Sequence, residues 1–165
     1  MSERNGTVVC PGSYDPVTNG HLDIITRTSN VFDRVVVGVV NNPVRKAKTL
    51  FTAEERKAFI EEATADLPNV EVQIFANLLV EFARDNNAKA IVKGLRAISD
   101  FEYELEMNQL NRHLAADVES VYLMASPQYS FLSSSGVKEI ATFGGDVSNL
   151  VPEEVAARLQ EAIAR

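Results

Sequence analysis

The sequence predicts an α/β fold, a Rossmann-like doubly wound sheet of five parallel strands with helices on both faces, in a single domain over residues 1–165. Two observations predict this fold. Five short runs rich in β-branched residues recur along the chain, and each is nearly continuous in apolar residues, as in parallel strands covered on both faces. Segments with helical periodicity separate these runs, and this alternation is typical of parallel strands joined by right-handed crossovers.

The apolar runs give the predicted strands, at residues 7–10, 35–40, 70–74, 90–93 and 118–124. The segments between and after them give the predicted helices, at residues 21–30, 52–66, 78–85, 100–114, 134–142 and 152–164. A chain of 165 residues can bury a sizeable core in one domain without disulfides or a metal.

Local signals place several helix ends. Thr52 and Glu55 match a capping box, in which the hydroxyl and the carboxylate satisfy free N–H groups reciprocally. Pro68 is expected to stop this helix near residue 66. Pro152 is expected at the first helical position of the last helix, with two glutamates following it in the first turn.

The helix at residues 100–114 is expected to bury one side. Phe101, Leu105 and Met107 or Asn108 would form its mainly buried stripe. His113, near the end of the same helix, is expected to be a packing or surface residue rather than a ligand.

Charge and cysteine content narrow the class of partner. The net charge is −7 at pH 7 and the pI is about 4.9, which argues against a general nucleic-acid binder but still allows a small anion held by a few clustered cations. Cys10 is the only cysteine, so an internal disulfide and a cysteine-based zinc site are excluded, and its apolar surroundings favour a buried residue over a reactive thiol. Residues 1–6 lack an apolar signal core and no stretch reaches the length of a bilayer span, so we expect a cytoplasmic protein without a membrane partner.

The loops that follow the predicted strands contain the least ordinary sequence in the chain. They cover residues 11–20, 41–50, 75–78, 94–99 and 125–135. Open parallel sheets bind ligands outside the carboxyl ends of their strands, where such loops lead into helices. We therefore expect the functional site at this edge of the sheet.

The first of these loops carries a histidine at a helix start. Gly12 allows a ligand to approach the backbone closely, and Ser13 offers a hydroxyl. His21 would begin a helix, whose free N–H groups and positive dipole end suit a phosphate. The dipole disfavours the cationic ring, so neutral His21 can donate a hydrogen bond to phosphate that strengthens as charge accumulates. A rigid turn and a helix-capping histidine without chemistry are the alternative interpretations.

Three cations follow the second predicted strand. Arg45, Lys46 and Lys48 lie close together in an acidic protein, where they can attract phosphate. A solvated loop would have the same sequence, so this cluster alone does not decide between the two interpretations.

Two further loops add groups suited to phosphate. Lys93 and Arg96 come directly after the fourth strand, with Gly94 between them to permit close approach to the backbone. The serines at residues 133–135 precede a helix, where hydroxyls and N–H groups can cradle a phosphate or simply cap the helix. All of these elements lie at one edge of the predicted sheet, which favours a shared ligand over separate structural roles.

A metal site built by the protein itself is not indicated. The two histidines are far apart in sequence, and no pair of carboxylates has ligand spacing. Mg²⁺ carried by the phosphates of a substrate is the more plausible arrangement. The Walker A motif and the glycine fingerprint of dinucleotide-binding folds are also missing.

Together these motifs resemble bacterial phosphopantetheine adenylyltransferase, a family of the nucleotidyltransferase superfamily. The Thr-Asn-Gly-His sequence at residues 18–21 matches the Thr/His-x-Gly-His signature of the superfamily. The more specific matches are at residues 11–16, 93–97, 100–104, 130–135 and 145–147. The resemblance covers nearly the whole chain and implies one cytidylyltransferase-like nucleotidyltransferase domain.

The resemblance implies a reaction and its requirements. The family transfers the adenylyl group of ATP to 4′-phosphopantetheine, giving dephospho-coenzyme A and pyrophosphate in the penultimate step of coenzyme A synthesis. It also implies dependence on Mg²⁺ and assembly as a homohexamer. By the same resemblance, His21 would stabilise the pentacovalent transition state, and Ser13 would contact both substrates.

The resemblance further implies two sets of binding residues. The ATP set is Ser13, Tyr14, His21, Gly94, Leu95, Arg96, Glu104, Tyr129, Ser130, Phe131, Leu132, Ser133, Ser134 and Ser135. The phosphopantetheine set is Ser13, Arg45, Lys46, Leu79 and Lys93.

Departures from the family pattern leave some choices open. The family has one lysine where this chain has Arg45 followed by Lys46, so either could be the acting cation. Ser13 and Tyr14 stand where the family often has Thr and Phe, and both changes keep the hydroxyl or the ring. One alternative function is a related adenylyltransferase with another phosphate acceptor. Another is a nucleotide-binding module without turnover, which would be expected to lack His21 or Arg96, and both are present.

Overall fold

The computed structural model describes residues 6–41 and 48–164, which form a five-stranded parallel sheet flanked by helices. The strands are β1 (Thr7–Gly12), β2 (Arg34–Val40), β3 (Val70–Phe75), β4 (Ala90–Leu95) and β5 (Glu119–Met124), in the spatial order β3-β2-β1-β4-β5. This arrangement confirms the predicted doubly wound α/β fold. The strands β1 and β4 each run two residues further than the apolar pattern predicts, because pairing continues past the last β-branched residue.

Helices connect the strands and follow the last one. In the described residues they are α1 (Asn19–Val31), α2 (Ala53–Ala63), α3 (Leu79–Asp85), α4 (Ile98–Leu114), α5 (Ser134–Thr142) and α6 (Glu153–Ile163). A 3₁₀ turn at Pro127–Tyr129 lies between β5 and α5. All six predicted helices are thus present.

Two helix ends differ from what their local signals predict. The capping box of Thr52 and Glu55 is confirmed, but α2 ends at Ala63 rather than near residue 66. The helix ends there because the amide of Ala65 donates to the carbonyl of Glu62 three residues back and no longer to that of the fourth residue back. Pro152 is the N-cap of α6 and not its first helical residue, since its backbone is extended.

The sheet separates two apolar cores, as expected for strands covered on both faces. One core joins the sheet to α1, α2, α5 and α6 through residues such as Val8, Ile25, Phe59, Val137 and Leu159. The other joins it to α3 and to the chain after α4 through Val9, Val36, Phe82, Ile91 and Ala115. Cys10 belongs to the first core, and burial raises the pKa of its thiol to about 12, so the prediction of a buried residue is confirmed.

The expected buried stripe of α4 is wrong. Phe101 and Leu105 are 53% and 48% exposed, and Met107 and Asn108 are only half-buried. The residues of this helix that turn toward the sheet face a cavity instead of a filled core; they are Asp100, Tyr103, Glu104 and Met107. Periodicity marks an amphipathic helix, but it does not say which side of the helix the rest of the chain covers.

The cavity arises where the strand order reverses. Strand β1 pairs with β2 along its whole length, but with β4 only at Val8–Ala90 and Val9–Ile91. The carboxyl ends of β1 and β4 are therefore not paired with each other, which is the position at which open α/β sheets hold ligands.

None of the helices in residues 6–41 and 48–164 combines the length and the hydropathy that a bilayer crossing needs.

Candidate active site

A cavity of about 1310 Å³ opens at the carboxyl edge of the sheet. Its walls come from the ends of β1 and β4, the start of α1, the inner side of α4 and the start of α5. The start of α1 packs against the segment that leads into α5, since a methyl group added to Gly20 would lie 3.5 Å from Tyr129 and 3.7 Å from Leu132, and the starts of both helices line the cavity. Two positive helix ends thus border one cavity, an arrangement that favours an anionic ligand.

Most of the predicted site residues line this cavity. Those that do are Ser13, Tyr14, His21, Leu79, Lys93, Gly94, Arg96, Glu104, Tyr129, Leu132, Ser133, Ser134 and Ser135. The described residues Leu95, Ser130 and Phe131 are not part of the lining. Phe131 is 73% exposed, and the hydroxyl of Ser130 donates to the carbonyl of Pro127. Arg45 and Lys46 lie outside the described residues, whereas Lys48 lines the cavity.

His21 is held at the third position of α1 by a reciprocal cap. The amide of His21 donates to the hydroxyl of Thr18 at 3.3 Å, and the amide of Thr18 donates to Nδ1 of His21 at 3.0 Å. Because Nδ1 accepts a hydrogen bond, the proton of the neutral ring belongs on Nε2. His21 therefore offers the cavity an N–H donor.

The amides at the start of α1 are less free than the sequence suggests. Those of Thr18 and His21 bond within the cap, and the amide of Asn19 donates to the carbonyl of Leu150 at 2.8 Å. The expectation of several free N–H groups at this helix start is therefore wrong. What α1 contributes to an anion is its positive end, the one remaining first-turn amide of Gly20 on the cavity lining, and the Nε2–H group of His21.

The pKa of His21 is lowered from 6.5 to about 4, first by burial and then by the positive charge of Arg96. At neutral pH the ring is uncharged, as the sequence analysis expects. The unfolded chain takes up this proton near pH 6.5, whereas the folded chain does so only near pH 4. The contribution of His21 to stability is thus complete above pH 6.5 and is lost as the pH falls through about 4.

We expect an NMR titration of the histidines to show this directly. His21 should titrate with a midpoint of about 4, and its ¹⁵N shifts above pH 6 should identify Nε2 as the protonated nitrogen. The chain has two histidines, so the variant His113→Gln assigns the remaining resonances to His21. A midpoint near 6.5 for His21 would contradict its burial beside Arg96.

Lys93 within β4 and Arg96 just after it are paired with carboxylates of α4. Lys93 contacts the carboxylate of Glu104 at 2.9 Å, and Arg96 contacts that of Asp100 at 3.0 Å. Arg96 also donates to the carbonyl of Leu132 at 2.8 Å, which links the end of β4 to the loop before α5. These ion pairs hold both cations at the wall of the cavity.

Packing against α1 also requires a glycine at position 94, in addition to the expected close approach of a ligand. A methyl group added there would lie 2.9 Å from Cγ1 of Ile24, whose side chain packs from α1. Any larger residue at this position would push α1, and with it His21, away from β4.

The three serines at residues 133–135 make different contacts. The hydroxyl of Ser133 caps the helix by accepting from the amide of Gly136 at 3.0 Å. The hydroxyl of Ser134 donates to the carbonyl of Pro16 at 2.8 Å, so it joins α5 to the loop after β1. Ser135 lines the cavity beside them.

The comparisons with known proteins agree with this geometry. A cytidylyltransferase-like family model matches residues 9–140. A protein of Clostridium tetani named phosphopantetheine adenylyltransferase is 54% identical over 147 residues, which cover 89% of this chain and 91% of that protein. A protein of the same name from Rubrobacter xylanophilus is 53% identical and covers 95% and 94% of the two chains. This chain belongs to the phosphopantetheine adenylyltransferase family.

A solved structure supports the fold of this phosphopantetheine adenylyltransferase chain. A crystal structure described as a nicotinate-nucleotide adenylyltransferase from Vibrio parahaemolyticus superposes with a TM-score of 0.70. The match covers 98% of this chain and 96% of that one, at 15% identity. At this identity the likeness concerns the nucleotidyltransferase fold alone.

Two buried charged groups at this cavity were not predicted from the sequence. Arg56 of α2 is 2% exposed, lines the cavity and donates to the carbonyl of Ser13. Asp15 is 5% exposed and accepts from the amides of Leu50 and Phe51 at 2.8 and 3.0 Å. Asp15 has a local signal, since it lies in the unusual loop after β1, whereas Arg56 looks like any charged residue of an amphipathic helix.

Asp15 also forms an ion pair with Lys138 of α5 at 3.2 Å. The carboxylate of Asp15 therefore joins three parts of the chain: the loop after β1, the residues just before α2, and α5. These contacts hold the three parts of the chain in place from behind the cavity wall, because neither Asp15 nor Lys138 belongs to the lining.

Proposed function

We propose that this chain transfers the adenylyl group of ATP to 4′-phosphopantetheine, reversibly, to give dephospho-coenzyme A and pyrophosphate. This is the penultimate step of coenzyme A synthesis. The observation that carries the proposal is one cavity bordered by His21, Arg96 and the start of α5, in a chain 54% identical to curated phosphopantetheine adenylyltransferases. The nicotinate-nucleotide enzyme shares only 15% identity, which favours phosphopantetheine over another acceptor.

The reaction is a direct in-line displacement. A phosphate oxygen of 4′-phosphopantetheine forms a bond to the α-phosphorus of ATP, while the bond from that phosphorus to the bridging oxygen breaks and pyrophosphate leaves. The protein supplies position and charge stabilisation, so a covalent intermediate is not required. His21 donates its Nε2–H to an oxygen of the α-phosphate, where charge accumulates in the pentacovalent transition state.

The proposed binding residues are assigned to the two substrates by their place on the cavity lining. Gly94 and Arg96, with the lining residues of the 129–135 segment, would hold ATP. Leu79 and Lys93 lie on the lining after β3 and at the end of β4, where they would contact phosphopantetheine. Ser13 is exposed at the end of β1 and would reach both substrates. Leu95, Ser130 and Phe131, which are off the lining, stay proposals without geometric support.

We propose that Mg²⁺ enters this site on the phosphates of ATP. Among residues 6–41 and 48–164, no group of three or more His, Cys, Asp or Glu side chains is placed to hold a metal ion. The carboxylates on the cavity wall, Asp100 and Glu104, each pair with a cation. These residues suit a metal whose ligands are phosphate oxygens and water. When bound, the metal would neutralise charge on the phosphates.

Release of pyrophosphate tests the function. Purified protein with ATP, Mg²⁺ and 4′-phosphopantetheine is expected to release pyrophosphate and form dephospho-coenzyme A in equal amounts. Nicotinate mononucleotide in place of 4′-phosphopantetheine should give no product above background. Turnover with the mononucleotide alone would favour the alternative acceptor, and ATP binding without any turnover would favour the nucleotide-binding module.

We also propose a homohexamer in the cytoplasm. The uncovered side of α4 supports assembly, since Phe101, Leu105, Leu110 and Leu114 are each about half exposed. The lone Cys10 is consistent with a reducing compartment.

Light scattering after gel filtration tests the assembly. It is expected to give six times the chain mass of 18.1 kDa, and Leu110→Glu should lower that mass. Gln109→Glu adds the same charge at the exposed neighbouring position and should not. A monomeric mass for the unchanged protein would refute the proposal.

A further inference from the structure

The ring of Tyr14 lies directly against the imidazole of His21. The two ring centroids are 5.0 Å apart and the planes meet at 77°, which is an edge-to-face contact. Tyr14 belongs to the cavity lining but is only 6% exposed, so most of its side chain is covered by the protein. This burial separates Tyr14 from the exposed Ser13 beside it, although the resemblance implies that both bind ATP.

Tyr14 is itself fixed by contacts to β1. Its hydroxyl donates to the carbonyl of Cys10 at 3.0 Å, and burial raises the pKa of this hydroxyl well above its ordinary value, so it remains a donor. Gly12 leaves room for the ring, because a methyl group there would lie 3.0 Å from Cε2 and Cζ of Tyr14. The backbone of Tyr14 has φ of 50°, a left-handed conformation that these contacts must sustain.

We propose that Tyr14 is a positioning residue for His21, whose ring plane it fixes through their edge-to-face contact. The hydrogen bond from the amide of Thr18 to Nδ1 fixes one point of the imidazole but allows the ring to turn about that bond. The edge-to-face contact with Tyr14 restricts this turning. The hydroxyl bond to Cys10 adds to the hold on the Tyr14 ring but does not itself contact His21.

This inference rests on the proposed function, because it assigns Tyr14 a part in the step that His21 performs. A positioning role for Tyr14 also differs from a role in simple packing. A residue that only filled space would affect stability, whereas a residue that orients His21 should affect kcat and the environment of the imidazole.

The test compares Tyr14→Leu, which removes the ring, with Tyr14→Phe, which removes only the hydroxyl. Tyr14→Leu is expected to lower kcat about tenfold or more, while KM for ATP and for 4′-phosphopantetheine changes by less than about threefold. Tyr14→Phe should keep kcat within about threefold, because the ring contact remains. Phe143→Leu, at an 85% exposed residue off the cavity lining, is the matched control and should leave kcat and both KM values unchanged.

NMR titration of His21 gives a readout that does not depend on activity. In Tyr14→Leu the midpoint should move from about 4 toward 6.5, because the imidazole gains water and mobility. Gly12→Ala keeps Tyr14 but crowds its ring, and it should move the His21 midpoint in the same direction by a smaller amount. This second variant tests the inference if Tyr14→Leu does not fold.

The outcomes separate the two proposals. Unchanged kcat in Tyr14→Leu would overturn the inference, and so would a rise in KM for ATP with an unmoved His21 titration, since that pattern marks a direct ligand contact. If the unchanged protein forms no pyrophosphate, the proposed function fails. The His21 titration of the variants then still decides whether Tyr14 positions the imidazole.

Discussion

Replacing His21 with alanine is expected to lower kcat by about 10²- to 10³-fold, which is the usual effect of removing one donor to a transition-state oxyanion. The donor is Nε2–H, and the negative charge on the α-phosphate grows only as the bond to the acceptor forms. KM for ATP and 4′-phosphopantetheine should therefore change by less than about threefold, because little of this hydrogen bond is felt in the ground state. Steady-state pyrophosphate release with each substrate varied in turn measures both quantities.

His113→Ala is the matched control for this loss. His113 is exposed near the end of α4 and lies off the cavity lining, so its removal should leave kcat and KM as they are. The alanine at position 21 also leaves the amide of Thr18 without its Nδ1 partner, so thermal unfolding must be measured alongside. A variant that keeps kcat but binds ATP much more weakly would show that His21 serves ground-state binding instead.

The fold could be predicted because its central strands β1, β2 and β4 have consecutive buried residues, which point to both faces of the sheet. Runs such as Val35–Val40 can be satisfied only between two layers of helices, so the apolar pattern reports the sheet directly. The capping box of Thr52 and Glu55 is equally local, since its bonds span three residues. The exposure of Phe101 and Leu105 could not be predicted, because covering one side of α4 depends on distant parts of the chain.

Some features of the candidate site could likewise be predicted from local sequence, whereas others depend on contacts between distant residues. The position of His21 at a helix start follows from four consecutive residues, and the meeting of several loops at one cavity follows from strand topology. The ion pair of Asp15 with Lys138 joins residues 123 positions apart, and no local pattern reports it. The tautomer of His21 also needed the structure, since only the bond from Thr18 identifies Nδ1 as the acceptor.

Arg56 shows what such long-range contacts contribute to the site. Its Nε donates to the carbonyls of Phe51 and Thr52 at 3.1 and 3.3 Å. Its Nη1 donates to those of Ser13 and Val40 at 2.6 and 3.0 Å. Burial lowers the pKa of this guanidinium, an effect that the negative charge of Asp15 opposes. One side chain thus connects the ends of β1 and β2 to the start of α2.

Arg56→Met should lower the free energy of unfolding by about 3 kcal/mol, since charged hydrogen bonds to buried carbonyls contribute about 1.5–3 kcal/mol each and only part of them can be replaced. The carbonyls of Ser13 and Val40 belong to lining residues and can be rehydrated from the cavity, and that of Thr52 still accepts from the amide of residue 56, so most of the loss comes from the carbonyl of Phe51. Urea unfolding with an unchanged slope measures the difference. Arg84→Met makes the same substitution in the exposed ion pair with Asp117 and should leave the midpoint unmoved. Equal midpoints for the Arg56 and Arg84 variants would mean that water replaces all four contacts and that Arg56 does not hold the walls of the cavity together.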